Sequence, residues 1–98
     1  GEQRQLEIAM ALATRPRMLL LDEPMAGMGV DESRRMVDLL RALKAEYTML
    51  LIEHDMDAVF ALADRITVLV YGKTIATGTP ERIHTDPAVR QAYLGGDA

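Results

Sequence analysis

Asp22 and Glu23 stand together directly after the apolar run Met18-Leu19-Leu20-Leu21 and directly before Pro24. Neighbouring side chains at the end of an extended segment point to opposite sides, so two acids there can do separate jobs, one holding a metal ion and the other handling water. An acidic doublet can also simply terminate a strand, but the apolar run before it and the proline after it favour the chemical reading. His54 lies after the next apolar segment, Thr48 to Ile52. A lone histidine there is more often an ordinary polar residue. At a strand end, facing the same crevice as an acidic pair, it can donate a hydrogen bond to a phosphoryl oxygen as charge develops. No metal-ligand spacing links it to His84, which argues against a His-based zinc site. Gly1, opening a helical stretch, permits an anion to approach the free N–H groups of a helix start, although a single glycine equally fits a plain turn.

These residues need a scaffold. From Gln3 to Thr14, the set Leu6, Ala9, Met10 and Ala13 predicts the buried face of a helix ended by Pro16. Met18 to Leu21 is short and unbroken, which predicts a buried parallel strand with the acids at its carboxyl end. Asp31 is placed to cap a helix whose buried stripe is Met36, Leu39, Leu40 and Leu43. Thr48 to Ile52 reads as the next strand, and Met56, Val59, Phe60 and Ala63 as the stripe of a short helix. Ile66 to Val70 is a third strand, and Tyr71-Gly72-Lys73 a tight turn making a hairpin at one sheet edge. Thr79-Pro80 and Asp86-Pro87 each place a capping side chain before a first-turn proline, predicting two short helices ending near Tyr93 and Gly95. Strands alternating with helices predict an α/β layered arrangement with parallel strands, in which ligands gather at the strands' carboxyl ends. Asp22, Glu23 and His54 all fall at such ends.

The chain has 98 residues, 49% of them apolar, enough for one small domain with an aliphatic core. A net charge of −4 with interspersed signs provides no basic stripe for a phosphate backbone, so nucleic acid is not an expected partner. No apolar run approaches the ~20 residues needed to span a bilayer, so direct membrane insertion is not expected either. The absence of cysteine removes disulfides and thiolate metal sites. The opening Gly1-Glu2-Gln3, running straight into a helical pattern, reads as an internal cut in a longer protein.

In order, Gly1-Glu2-Gln3-Arg4-Gln5-Leu6-Glu7-Ile8-Ala9, Leu19-Leu20-Leu21-Asp22-Glu23-Pro24 and His54 resemble the ABC ATPase family across essentially the whole chain. The resemblance implies a partial P-loop NTPase (ABC ATPase) domain: parallel strands with crossover helices, plus a C-terminal hairpin and short helices. It makes residues 1–98 the C-terminal part of one nucleotide-binding domain, with signature tail, Walker B, D-loop and H-loop but no Walker A. The implied cofactors are ATP and Mg²⁺. Asp22 would help hold the metal, Glu23 would be the general base, His54 would contact the γ-phosphate, and Gly1, Glu2 and Gln3 would serve the nucleotide of a partner subunit. The implied partners are transmembrane permease subunits and a second ATPase subunit, homo- or heterodimeric, on the cytoplasmic face of a bacterial-type inner membrane, held peripherally. Two departures stand out: Ala26-Gly27-Met28-Gly29 has no acid where many members carry one, and Glu2 replaces the usual Gln. Both read as subgroup markers.

Within the family, Met25-Ala26-Gly27-Met28-Gly29, Ile52-Glu53-His54-Asp55-Met56 and Val89-Arg90-Gln91-Ala92-Tyr93-Leu94-Gly95 are most similar to ATPases of branched-chain amino-acid importers. Urea-uptake and lipopolysaccharide-export ATPases are the nearest alternatives. A non-transport ABC ATPase lacks support, because neither a long coiled coil nor a basic surface is evident. Without the Gly-rich loop and its Lys, the isolated chain is also readable as a non-catalytic interaction piece.

Overall fold

Leu21, Met49 and Leu51 pack against a cluster of Ile8, Met25, Met36, Leu40, Ala58 and Leu62, and this cluster organises the first of two compact units, Gly1–Leu62 and Ala63–Ala98. The computed structural model describes residues 2–94. In the first unit the order is α1 (Glu2–Leu12), β1 (Met18–Asp22), α2 (Val30–Lys44), β2 (Thr48–Ile52) and α3 (Met56–Leu62). β1 and β2 pair in parallel, in register from Met18↔Thr48 to Asp22↔Ile52, as expected for strands joined by a crossover helix.

One face of this sheet is covered and the other is not. Leu19 is buried and Leu21, Met49 and Leu51 pack on the cluster, whereas Met18, Leu20, Leu50 and Ile52 are exposed. The expectation of a buried strand therefore holds for only half of β1's side chains, because the cluster lies on a single face and alternate residues point away from it.

α1 corrects the sequence reading. Leu6, Ala9, Met10 and Ala13 are all exposed, while Ile8 is buried and Leu12 packs on the cluster. A helix with apolar residues around much of its circumference contains more than one i, i+4 row, and spacing alone does not say which row meets a neighbour. α2 begins two residues before the expected position: Gly29 is the N-cap, without a side-chain hydrogen bond, and Asp31 lies in the first turn. There the carboxylate favours the helix dipole rather than capping N–H groups. Its stripe is as expected, with Met36 and Leu40 fully buried and Leu39 and Leu43 packed beside them. In α3 the buried residues are Ala58, Val59 and Leu62; Met56 and Phe60 are half-buried and Ala63 falls beyond the helix. Leu40 has 0% exposure, so Leu40→Ala is expected to cost about 2–5 kcal/mol, measurable as a lowered denaturant midpoint.

The second unit contains β3 (Ile66–Val70), β4 (Lys73–Gly78), α4 (Pro80–Thr85) and α5 (Pro87–Tyr93). β3 pairs antiparallel with β4 in a sheet of its own, rather than joining β1 and β2 as a third parallel strand. Tyr71 and Gly72 both have positive φ, 50° and 76°, the left-handed pair that a two-residue hairpin turn requires. Thr79 caps α4 by accepting from the Arg82 N–H, and Asp86 caps α5 by accepting from Ala88 and Val89, each cap preceding a proline as expected. α4 ends at Thr85, well before the expected Tyr93, because Asp86 leaves the helix to cap the next one, and α5 ends at Tyr93, two residues before the expected Gly95. Gly95 lies outside the described residues.

Candidate active site at the carboxyl ends of β1 and β2

The parallel register brings the ends of β1 and β2 level, so the segments that follow them run side by side. Glu23 continues the ladder by one bond, its N–H donating to the Ile52 carbonyl at 2.7 Å. Its backbone then turns into the left-handed region at φ 47°, costly for a residue with a Cβ and sustained only where surrounding contacts fix it. Those contacts are present: the Glu23 carbonyl accepts from the Ala26 N–H at 3.1 Å and from Arg4 Nη1, on α1, at 3.0 Å. Arg4 occupies the same helical row as Ile8 and Leu12, so packing that row on the core also brings the guanidinium to the turn.

With its backbone held, the Glu23 side chain meets His54. Glu23 Oε1 and His54 Nδ1 are 2.6 Å apart, and both groups are open to solvent. An ionised carboxylate can only accept, so Nδ1 is the donor and Nε2 is left for a ligand. Asp22 does not join them. It shares the strand parity of exposed Met18 and Leu20, and its exposed carboxylate borders a separate concavity lined by Arg4, Glu7 and Pro24. The two acids thus point apart as expected. Among the described residues no group donates a hydrogen bond to the Asp22 carboxylate, leaving it free to take a hard cation. A single free carboxylate suits Mg²⁺, which keeps several waters and takes its other ligands from a bound phosphate.

Of the remaining candidates, Gly1 lies outside the described residues, Glu2 is placed only by its backbone in α1, and Gln3 is exposed on that helix. The sequence reading passed over Glu53. Its side chain is only 1% exposed, and its carboxylate accepts from three backbone N–H groups: His54 at 3.0 Å and Asp55 at 3.3 Å on Oε1, and Met25 at 3.3 Å on Oε2. A signal was available, since Glu53 continues the inward parity of Met49 and Leu51 and a carboxylate on a buried parity must find donors. Glu23, Glu53 and His54 offer ligand atoms within 4.8 Å of one another, but the Glu53 oxygens are already engaged by those amides. Asp55 in turn caps α3, its Oδ1 accepting from the Ala58 N–H at 3.2 Å.

Solved structures share this fold. A nucleotide-free ATP-binding cassette from an ABC transporter superposes with TM-score 0.81 at 32% identity over 96% of this chain, and the ADP conformation of the cassette MJ1267 with TM-score 0.80 at 34% identity over 94%. The fold is part of an ABC ATPase cassette. The chain accounts for 39% and 38% of those two structures. Residues 73–98 match the family described as branched-chain amino acid ATP-binding cassette transporter. Over 97 residues the chain is 48% identical to the high-affinity branched-chain amino acid transport ATP-binding protein BraF of Pseudomonas aeruginosa. It is 46% identical to LivG of Escherichia coli, which carries the same description. The lipopolysaccharide export ATP-binding protein LptB of Acidithiobacillus ferridurans is 41% identical over 96 residues. The chain covers 97% of itself in each of these comparisons but spans only 38% of the length of BraF and LivG. No helix among the described residues is long and apolar enough to cross a membrane.

Proposed function

We propose that this cassette segment belongs to the ATP-binding and hydrolysing subunit of an ABC importer for branched-chain amino acids. The observation that carries the proposal is the Glu23–His54 pair, 2.6 Å apart at the ends of adjacent parallel strands, on a cassette fold. Glu23 acts as general base toward the attacking water. His54 holds that carboxylate through Nδ1 and meets the γ-phosphate through Nε2, which donates when the ring is doubly protonated. Asp22, on the opposite parity, would hold Mg²⁺, whose chemistry is to neutralise charge on the phosphates. Gly1, Glu2 and Gln3 serve the nucleotide bound by a second ATPase subunit.

Residues 1–98 on this reading form part of one nucleotide-binding domain, the phosphate-binding loop being supplied by another part of the same polypeptide. The exposed row of Met18, Leu20, Leu50 and Ile52 supports that assignment, since a bare apolar sheet face is stable in water only when something covers it. The domain docks peripherally on permease subunits at the cytoplasmic face. The choice of solute is supported by 48% identity to the branched-chain amino-acid protein against 41% to the lipopolysaccharide exporter.

The test is ATP-dependent leucine uptake into vesicles carrying the complete subunit, its permease and binding protein, with urea as the competing solute. Leucine uptake that stops on removing Mg²⁺ supports the proposal; uptake of urea alone, or ATP turnover uncoupled from any solute, overturns it. Arg4→Met in the same protein removes a charged donor from the Glu23 carbonyl, a bond worth about 1.5–3 kcal/mol, and is expected to lower turnover roughly tenfold or more while ATP affinity holds. Steady-state kinetics beside an ATP-binding titration measure both.

A further inference from the structure

We propose that Glu53 is the positioning residue of this site, a buried carboxylate that sets the Glu23–His54 contact by tying together the two loops that carry it. The proposal rests on the ATPase reading above. Each residue of the pair sits on a different loop, after β1 and after β2, and the two loops are 31 residues apart in the chain at Glu23 and His54. Glu53 bridges them at the backbone. Oε1 accepts from His54 and Asp55 in its own loop, and Oε2 accepts from Met25, two residues past Glu23 in the other.

Burial makes the bridge compulsory. At 1% side-chain exposure the carboxylate has almost no water to hydrate it, so its charge is tolerated only while the N–H donors converge on it. If the loops separate, Oε2 loses its one backbone donor, and the Met25 N–H loses its acceptor. The carboxylate therefore opposes independent movement of the loops and holds the His54 imidazole where it meets Glu23. An amide cannot replace it. Gln has one acceptor oxygen, and its NH₂ group would face an N–H donor on one of the two loops. Glu53→Gln thus preserves volume while severing the tie on one side.

The experiment compares Glu53→Gln, His54→Ala and the double variant in the complete ATP-hydrolysing subunit, with Glu23→Gln as reference. Glu53→Gln is expected to lower kcat about tenfold or more with little change in KM for ATP. Combined with His54→Ala it adds little further loss, because Glu53 acts through that residue. Losses that multiply in the double variant, or an unchanged kcat in Glu53→Gln, overturn the proposal. If Glu23→Gln itself leaves turnover intact, the ATPase reading fails and this inference with it; if Glu23→Gln cuts turnover while Glu53→Gln does not, only the inference fails. Hydrogen exchange on the unsubstituted subunit needs no variant to fold. The His54 and Asp55 amides, which lie outside any helix or strand, are expected to be protected, and exchange at the rate of free loop amides overturns the bridge.

Discussion

Replacing Glu23 with Gln is expected to leave ATP binding intact and to lower turnover by roughly 10²- to 10⁴-fold, the range contributed by a positioned general base. The geometry explains why the loss should fall on turnover. Glu23 is anchored through its backbone: its N–H bonds to Ile52 and its carbonyl to Ala26 and Arg4. None of those bonds involves the carboxylate, so the amide keeps the left-handed turn and the side-chain volume. It loses only basicity and the charge that draws the His54 N–H to 2.6 Å. ATP binding by nucleotide titration and hydrolysis by phosphate release, both on the complete subunit, measure the two effects separately. Turnover within a few-fold of the unsubstituted protein would remove Glu23 from the role of base.

His54→Ala is the second large effect, expected to slow hydrolysis by about 10²-fold or more while ATP affinity changes far less. The imidazole is mostly exposed, so truncating it opens no cavity in the core and should cost little stability. What disappears is the donor on Glu23 Oε1 and, on the proposed mechanism, the contact through Nε2 that strengthens as negative charge develops on the transferring phosphoryl group. Single-turnover hydrolysis set against equilibrium nucleotide binding distinguishes the outcomes. Equal losses in both would make His54 a binding or structural residue rather than one that acts on the transition state.

The placement of these residues was largely legible from short-range pattern. Apolar runs ending in Asp22-Glu23 and in Glu53-His54 put the carboxylates and the imidazole at strand ends, and β1 and β2 form at the boundaries that periodicity predicts. The capping pairs Thr79-Pro80 and Asp86-Pro87 likewise start α4 and α5 where expected, because a cap and a fixed proline φ are local properties. Glu53 is less legible: strand parity turns it inward, but its donors come from backbone amides, one of them in a distant loop, that no residue type signals.

By itself the sequence determined the element types, the strand ends that carry Asp22, Glu23 and His54, and the resemblance to ABC ATPases, since each depends on residues close together in the chain. Tertiary structure decided which row of α1 is buried and how Glu23 comes to lie 2.6 Å from His54. It also decided that Arg4 would donate to the Glu23 carbonyl and that the Glu53 carboxylate would accept from Met25 in one loop and from His54 and Asp55 in the other. These are choices among locally equivalent surfaces. Several helix rows and side-chain donors satisfy the same periodicity, and the parallel register of β1 with β2, together with the core packed on one face of that sheet, selects among them.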